Sequence, residues 1–456
     1  MLITRVAVIY FTSLIFFVWG IAAARYEIFP WNQIYTVYKF VRGDVTETTS
    51  LSQKLLNDLD IVPERFMRNY APTKAARLSV LKMDGIRARR NSPRLWISPT
   101  ARSSYRLIVG ALDFEKAFWG GILLDPSGKV MRRWYMNAEI PTLSNEADIL
   151  KNLYGVAFFT DGSAAFTMQE NSGGIVKIDA CSEVTWTKKG LFHHVISPTE
   201  DALQFWTFGG KQYDLHPKLL LVDAFSGKTV KEIDMADVEK TNPDIFIFDL
   251  HRKINVKNPT HPNDIEPLPS AMAGAYPKFS AGDLLISYHT TNLIFVIDPE
   301  TLKIKWWYVG AGDRQHDPDW QSDASISIFS NNWRANQRGV EQYSSIVSID
   351  PQTHSHETIV DGGRYDFYSK INGRHQFTKY GSVIVTSSTQ GRVFEVDLAS
   401  GEVIFEFVNS YDWEDGRTLH LSETFVIEEA LAKRWAAASC PTVRAPGNES
   451  RKQPVQ

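Results

Sequence analysis

Four of the eleven histidines occupy one position relative to the short apolar strands around them. Two of them lie seven residues before the aspartate of the next turn, and one tyrosine has the same spacing. The set consists of His194, His261, His316 and His375, with Tyr154 as the tyrosine. Imidazoles that recur at one position of a repeat face a common space, where they can bind an anion, act as nucleophiles or ligate a metal.

Arginines near two of these histidines favour an anion over a metal cation. Arg334 and Arg338 follow the apolar strand after His316, and Arg374 directly precedes His375. A guanidinium group repels a metal ion but binds sulfate, phosphate or carboxylate through paired hydrogen bonds. Zinc, copper or iron on three imidazoles stays an alternative, but no HxH or HxxxH pair includes these histidines. We therefore expect an oxyanion site with no metal and no other cofactor.

A repeated strand, turn and strand unit positions these side chains. An apolar strand that ends in aspartate occurs six times, with successive aspartates 54, 44, 75, 52 and 47 residues apart. The six aspartates are Asp125, Asp179, Asp223, Asp298, Asp350 and Asp397. An aspartate starts a turn by accepting hydrogen bonds from its own backbone. The spacing is typical of one four-stranded propeller blade per unit.

The repeat predicts an all-β fold, a six-bladed β-propeller over residues 105–430. The last unit contains four β-type segments, whereas the first contains three. We expect residues 418–429 to supply the missing strand and to close the ring, which removes exposed sheet edges. The first strand of each blade then lines the axis, where the recurring histidines would meet. Residues 431–456 are predicted to be a polar C-terminal tail.

The amino-terminal residues predict a membrane anchor. No charged residue occurs between Arg5 and Arg25, and this apolar run is long enough to span a bilayer as a helix. We expect a transmembrane signal-anchor over residues 1–25, with a cleaved signal peptide as the alternative. A connecting region with a short helix is expected over residues 26–104. We therefore expect a single-pass membrane protein whose propeller lies outside the cytoplasm, in the periplasm or at the cell surface.

Composition narrows the possible partners. The formal net charge is -3 over 456 residues, so we expect no nucleic-acid partner, which would require a basic patch. Hydrophobic residues make up 43% of the chain and aromatic residues 12%, enough for a large β core.

Cys181 and Cys440 are too few for a disulfide framework, and we favour two unrelated thiols over a single bridge.

Two segments resemble the bacterial arylsulfotransferases. Residues 261–268, HPNDIEPL, with residues 284–310 are similar to the HxN strand of that family and to the strand that follows it. Residues 315–334, from QHDPDW to IFSNNWR, are similar to its QH segment, turn and following arginine. At residues 288–290 the chain has YHT where the family has RHQ.

This resemblance implies an extracytoplasmic six-bladed propeller that transfers a sulfuryl group from an aromatic sulfate donor to a phenolic acceptor. It implies that His261, His316 and Arg334 bind the sulfuryl oxygens and that His375 is the nucleophile. The nucleophile would become a sulfohistidine and pass the group to a second phenol. The further substrate-binding candidates are His194, Tyr154, Arg374 and Arg338.

Two alternatives belong to other classes of protein. The first is a non-catalytic propeller that binds an anionic ligand or a protein at the membrane surface. The second is a quinoprotein or metal-dependent oxidoreductase. Asp317 and Asp319 are interpreted as turn and strand-entry residues rather than as acids or bases in catalysis.

Overall fold

The computed structural model describes most of the chain from residue 77 onward. The described residues are 18–19, 77–81, 93–113, 118–136, 153–168, 174–210, 215–252, 259–333, 342–413 and 417–440. The chain divides into two units, Met1–Asn57 and Asp58–Gln456. Nearly all of the predicted anchor over residues 1–25 lies outside the described residues. Within the described part of the chain, no helix is long and apolar enough to cross a membrane.

The predicted turn aspartates hold their hairpins through their carboxylates. Asp125 Oδ1 accepts hydrogen bonds from the backbone amides of Ser127 and Lys129, both at 2.9 Å. The same oxygen accepts from an amide two or three residues ahead at the other five positions: Asp179, Asp223, Asp298, Asp350 and Asp397. Because these bonds satisfy the backbone where the chain reverses, they confirm the predicted turns.

The strands form groups along the chain, and each group makes an antiparallel blade. Two short strands come first, β1 (Ser79–Val80) and β2 (Arg94–Ile97). Blade 1 begins with β3 (Tyr105–Asp113), β4 (Phe118–Leu124) and β5 (Val130–Tyr135). Blade 2 contains β6 (Leu153–Phe158), β7 (Ala164–Met168), β8 (Gly174–Ile178) and β9 (Val184–Lys189). Blade 3 contains β10 (Phe192–Pro198), β11 (Gln204–Gly209), β12 (Lys218–Asp223) and β13 (Thr229–Asp234).

The second half of the ring repeats this order. Blade 4 contains β14 (Pro262–Pro267), β15 (Leu284–Tyr288), β16 (Leu293–Ile297) and β17 (Ile304–Val309). Blade 5 contains β18 (His316–Trp320), β19 (Ile326–Ser330), β20 (Ser345–Ile349) and β21 (His356–Asp361). Blade 6 contains β22 (Arg374–Phe377), β23 (Ser382–Ser387), β24 (Arg392–Asp397) and β25 (Glu402–Val408). The last strands are β26 (Ser410–Asp412), β27 (Arg417–Thr418) and β28 (Leu421–Ile427).

The ring closes through the last strand, which confirms the predicted six-bladed propeller. β28 pairs antiparallel with β3, with Phe425 opposite Leu107, and thereby becomes the inner strand of blade 1. β2 pairs with β25, and β1 pairs with β2, so the sheet of blade 6 has six strands. Both added strands lie within residues 26–104, the predicted connecting region. Leu95 of β2 is buried among core residues such as Ile108 and Phe407, which explains why this short segment docks there.

Short helices lie between and after the blades. They are α1 (Met235–Thr241), α2 (Asp249–Arg252), α3 (Ser270–Ala273), α4 (Gly362–Tyr365) and α5 (Glu429–Ala437). The segment predicted as a polar tail from residue 431 therefore starts inside α5. Trp435 of α5 packs against Trp134 and Phe158, with ring centroids 5.8 and 5.9 Å away. This contact extends the core that blades 1 and 2 share.

Cys181 and Cys440 form a disulfide, so the interpretation of two unrelated thiols is wrong. Cys181 follows the turn aspartate between β8 and β9, and Cys440 follows α5. Arg132 donates to the carbonyl oxygens of Trp435 and Ala438 at 2.7 and 3.0 Å. These bonds fix the segment between the end of α5 and Cys440. Cys181 and Cys440 are 259 positions apart in the sequence. They meet because ring closure brings the end of the chain beside blade 2.

Candidate functional site at the propeller axis

Three inner strands have a histidine as their first residue or directly before it, and each contains a β-bulge near its start. The register shifts lie between Pro262 and Asp264 in β14, His316 and Asp319 in β18, and Leu421 and Glu423 in β28. A bulge adds one residue to a strand, so a side chain and the one three positions later point to the same side. The sequences HPND, HDPD and HLSE therefore place three pairs of side chains on the same side of their strands: His261 with Asp264, His316 with Asp319, and His420 with Glu423.

Four histidines form a continuous row around one part of the axis. His194 and His261 have ring centroids 4.7 Å apart, and their Nε2 atoms are 3.0 Å apart. His289 lies 4.5 Å from His261 and 5.1 Å from His316 by ring centroid. We call His194, His261, His289 and His316 the imidazole row. Tyr154 extends it, with its ring centroid 5.0 Å from that of His194.

His289 belongs to this row, although it is not among the predicted site residues. It occupies the YHT segment that was treated as a departure from the family, and its backbone amide donates to the His261 carbonyl oxygen at 3.1 Å. Burial, followed by the charges of its histidine neighbours and Arg314, lowers the pKa of His289 well below its usual value. The ring is therefore neutral at physiological pH. The histidine that the family motif RHQ shares with YHT was the signal that could have identified it.

His316 is held in one tautomer by its surroundings. Asn331 Nδ2 donates to the carbonyl oxygens of Ser369 and Asn372 at 2.8 and 2.6 Å, so Asn331 Oδ1 faces His316. That oxygen lies 2.7 Å from His316 Nδ1, and the Arg314 carbonyl oxygen lies 3.2 Å away. Because both neighbours are acceptors, Nδ1 carries the hydrogen and Nε2 keeps its lone pair. Burial lowers the pKa of His316 to about 4, which keeps the ring neutral.

Five carboxylates gather next to the row, around the Arg374 guanidinium. Arg374 Nη1 donates to Asp317 Oδ1 at 2.7 Å and also to Asp264 Oδ2. Arg374 belongs to blade 6 and Asp264 to blade 4, with blade 5 between them. Their side chains therefore meet at the axis, where all the inner strands come together. We call the five acids the axial carboxylates: Asp264, Glu266, Asp317, Asp319 and Glu423.

The axial carboxylates differ in their affinity for protons. Burial raises the pKa of Glu423 to about 8, and it raises the pKa of Asp264 to about 6 against the effect of Arg374. Burial opposes ionisation of Asp317 as well, but Arg374 and His375 outweigh it and lower the pKa of Asp317 to about 2. Asp317 is therefore the permanent partner of the guanidinium. Asp317 and Asp319, interpreted from sequence as turn and strand-entry residues, both belong to this polar group.

His375, the predicted nucleophile, lies between blades 5 and 6. Its Nδ1 is 2.8 Å from Asp317 Oδ2, and its Nε2 is 2.6 Å from Ser327 Oγ. Neighbouring residues of a strand point to opposite faces, so Arg374 faces the axis while His375 faces blade 5. The side chain of His375 is 0% exposed. The structure thus brings His194, His261 and His316 together and gives His375 a different set of contacts.

The two arginines expected after β19, Arg334 and Arg338, lie outside the described residues. A different arginine lies near the row. The Arg314 guanidinium carbon is 3.5 Å from the ring centroid of Trp333, and its charge contributes to the lowered pKa of His289. Lys370 Nζ lies 5.8 Å from the same ring. The described residues therefore place two cations around Trp333, close to the imidazole row.

The fold and site define a class of protein, a six-bladed propeller with histidines gathered at its axis. Within that class the chain belongs to the arylsulfotransferase (ASST) family, whose family model matches residues 155–410. This match includes the whole imidazole row and covers blades 2 to 6 apart from the first two residues of β6 and the added strands β1 and β2. It confirms the resemblance that the two sequence segments indicated. No curated protein matches the chain in sequence.

Several solved structures align with this chain at low sequence identity. A protein of unknown function from Bacteroides caccae shares 9% identity, over 67% of this chain and 93% of that one, with a TM-score of 0.44. TolB from Acinetobacter baumannii shares 12% identity, over 72% and 67% of the two chains, with a TM-score of 0.43. Virginiamycin B lyase from Staphylococcus aureus shares 13% identity, over 58% and 71%, with a TM-score of 0.34.

Proposed function

We propose that this protein is an arylsulfotransferase-like enzyme that transfers a sulfuryl group from an aryl sulfate to a phenolic acceptor through a sulfohistidine. The observation that carries the proposal is the imidazole row in a chain that belongs to this family. A neutral imidazole, such as those of His289 and His316, offers both a lone pair for nucleophilic attack and an N–H donor for a sulfuryl oxygen. Arg334, which the resemblance assigns to the same oxygens, would add a positive charge.

The contacts within the row favour His316 as the nucleophile, whereas the resemblance assigns that role to His375. His316 has its hydrogen on Nδ1, fixed by Asn331, so its Nε2 keeps the lone pair that attack requires. His375 Nε2 is 2.6 Å from the Ser327 hydroxyl. An attack through His375 therefore requires that this hydroxyl first moves away.

In the proposed reaction, His316 Nε2 attacks the sulfur of the aryl sulfate. A nitrogen–sulfur bond forms, the bond between sulfur and the aryl oxygen breaks, and the phenolate leaves with the electron pair. The oxygen of a second phenol then attacks sulfur, its proton passes to solvent, and the nitrogen–sulfur bond breaks to restore the lone pair. His261 and His289, which are neighbours in the row, would donate hydrogen bonds to the sulfuryl oxygens as charge develops there.

Incubation with 4-nitrophenyl sulfate and a phenol tests this reaction directly. We expect release of nitrophenolate that depends on the acceptor, and a peptide that carries a sulfuryl group after incubation with donor alone. Peptide mapping distinguishes His316 from His375 as its carrier, and His316→Asn should abolish the adduct. No turnover across several aryl sulfates, together with ligand binding that leaves no covalent adduct, would support a non-catalytic binding propeller instead.

We also propose that the propeller works outside the cytoplasm, anchored by the amino-terminal apolar segment. The Cys181–Cys440 disulfide supports this placement, because structural disulfides persist in oxidising compartments and are rare in the cytosol. Protease treatment of intact cells or spheroplasts that express the full chain should cleave the propeller. Protection of the propeller until the membrane is opened would place it inside and contradict the proposal.

A further inference from the structure

Two polar residues outside the imidazole row, His420 and Ser388, lie across the axis from it. His420 directly precedes β28, the inner strand of blade 1, as His261 directly precedes β14, the inner strand of blade 4. Both strands contain a bulge near their start. The inner strands of successive blades are neighbours around the ring, and β22 of blade 6 adjoins β28, so blade 1 lies opposite blade 4. His420 therefore occupies the position of His261 on the other side of the axis.

Ser388 occupies an equivalent position at the end of a second strand. It directly follows β23 of blade 6, as His289 directly follows β15 of blade 4. The Ser388 carbonyl oxygen accepts from the Leu421 amide at 3.2 Å, so Ser388 lies beside His420 where blades 6 and 1 meet. His289 lies beside His316 in the same way, where blades 4 and 5 meet. The pair of Ser388 and His420 thus repeats the arrangement of His289 and His316 two blades further round the ring.

The contacts of His420 determine which of its ring nitrogens carries the hydrogen. Asn372 Nδ2 lies 3.3 Å from His420 Nε2. An amide nitrogen only donates, so His420 Nε2 accepts through its lone pair. Burial lowers the pKa of His420 to about 4, which keeps the ring neutral with a single hydrogen. That hydrogen is therefore on Nδ1, which is a hydrogen-bond donor.

Both residues have a buried donor without an acceptor. His420 is 5% exposed and Ser388 is 0% exposed. His420 Nδ1 and Ser388 Oγ have no hydrogen-bond partner among the described residues, and the same is true of His289 Nδ1 in the imidazole row. A buried polar atom left without a partner costs free energy. Atoms of this kind at equivalent positions on both sides of the axis indicate one ligand that contacts both sides.

The electrostatics of this side of the axis are compatible with an anion. Glu423 lies three residues after His420 on the same side of β28, and burial raises the pKa of its carboxyl to about 8. The carboxyl is therefore mostly protonated at pH 7 and does not repel an anion. The oxygens of a sulfuryl group point in several directions, so donors on blade 4 reach only some of them. The remaining oxygens need donors from the opposite side.

We propose that His420 Nδ1 and Ser388 Oγ donate hydrogen bonds to the oxygens of a bound sulfuryl or sulfate group that face away from blade 4. The identity of this group rests on the proposed function. His420 and Ser388 are thus two further substrate-binding residues, and neither forms a covalent bond to the substrate. Neutral donors fixed in a buried site stabilise an oxyanion without the reorganisation that water requires.

Calorimetric titration of the full chain with inorganic sulfate, at constant ionic strength in chloride, tests the proposal. We expect one saturable sulfate per chain. His420→Gln can still accept from the Asn372 amide but lacks the Nδ1 donor, so it should weaken sulfate binding about tenfold or more. His420→Asn places an amide N–H near the Nδ1 position and should bind sulfate more tightly than His420→Gln. The reverse order, or an unchanged affinity in His420→Gln, would mean that His420 has only a structural role and would overturn the proposal.

A pair of serine variants decides the question if His420→Gln fails to fold. Ser388→Ala should weaken sulfate binding about threefold to tenfold, because it removes one hydroxyl donor. Ser104→Ala is the matched control, since Ser104 is also buried and its hydroxyl also has no partner among the described residues. Ser104 precedes β3 at the other end of blade 1, where Tyr105 pairs with Ile427, so its loss should leave sulfate affinity unchanged. Equal losses in the two serine variants would reject the proposal, as would the absence of saturable sulfate binding by the native chain.

Turnover of 4-nitrophenyl sulfate, measured in parallel, separates this proposal from the proposed function. Sulfate binding that depends on His420 in a chain without turnover would reject the enzyme and keep the binding site. Turnover in a chain whose His420 and Ser388 variants all retain native sulfate affinity would reject the binding site and keep the enzyme.

Discussion

Asn331 holds His316 in a single tautomer through a 2.7 Å contact between Asn331 Oδ1 and His316 Nδ1. If His316 Nε2 attacks sulfur, loss of this acceptor leaves Nδ1 the longer 3.2 Å contact with the Arg314 carbonyl oxygen. The hydrogen then occupies Nε2 in a larger fraction of molecules, and these lack the nucleophilic lone pair. We therefore expect Asn331→Ala to lower kcat for 4-nitrophenyl sulfate by about tenfold to a hundredfold, with little change in KM. Asn332→Ala is the matched control, because Asn332 contacts Ser330 and Tyr343 instead of the histidine. Equal losses in both variants would contradict the role of the tautomer.

The fold was largely predictable from sequence because its determinants are local. Each turn aspartate binds amides within a few residues of itself, as Asp125 does with Ser127, so the repeat shows directly in the sequence. Closure by β28 was predictable because the first unit has three β-type segments and the last has four, so one strand was missing. The pairing of β2 with β25 and the Cys181–Cys440 bridge depend on contacts between distant parts of the chain. The spacing of residues along the sequence does not indicate those long-range contacts.

The site was predictable only in part, because side-chain direction depends on strand register. The common spacing to the turn selected His194 and His316, and in the structure both belong to the imidazole row. In three inner strands a bulge aligns a histidine with an acid three positions later, as for His316 and Asp319. Plain strand alternation assigns these two residues to opposite faces, so Asp264, Asp319 and Glu423 were not predicted to lie beside the histidines. The recurrence of histidine and acid at this spacing in three inner strands was the available signal.

The Cys181–Cys440 disulfide is expected to stabilise the closed ring. Loss of a native disulfide typically costs about 2 to 5 kcal/mol, and here it would also release the end of the chain after α5. Thermal unfolding of the oxidised protein with and without reductant measures this contribution. Cys181→Ser should unfold at the lower temperature in both conditions. A melting temperature that is unaffected by reductant in the native chain would show that the bridge contributes little.

Acid should destabilise the fold through His420. Burial lowers the pKa of His420 to about 4, below the value of about 6.5 in an unfolded chain. The unfolded state therefore binds more protons between these values, and stability falls as pH decreases from 6.5 to 4. A shift of this size corresponds to about 3 kcal/mol at the acid end.

His420→Gln should reduce this acid sensitivity, because glutamine does not titrate and can still accept the Asn372 amide that now lies 3.3 Å from His420 Nε2. Urea unfolding at pH 7.5 and pH 4.5 gives the difference in stability for each variant. His356→Gln, at an exposed position on β21, serves as the control and should match the native chain. If His420→Gln loses as much stability in acid as the native chain, another group is responsible.

Arg374 should be required for stability at neutral pH, because it neutralises Asp264 and Asp317 across the axis. Removing one partner of a buried ion pair costs about 3 to 5 kcal/mol, so Arg374→Met should lower the urea midpoint strongly. In the native chain the lowered pKa of Asp317 gives stability that is present above its unfolded pKa and is lost in acid. Without the guanidinium the buried acids become costly as pH rises. The deficit of Arg374→Met should therefore be larger at pH 8 than at pH 5, and addition of Asp264→Asn should recover part of it.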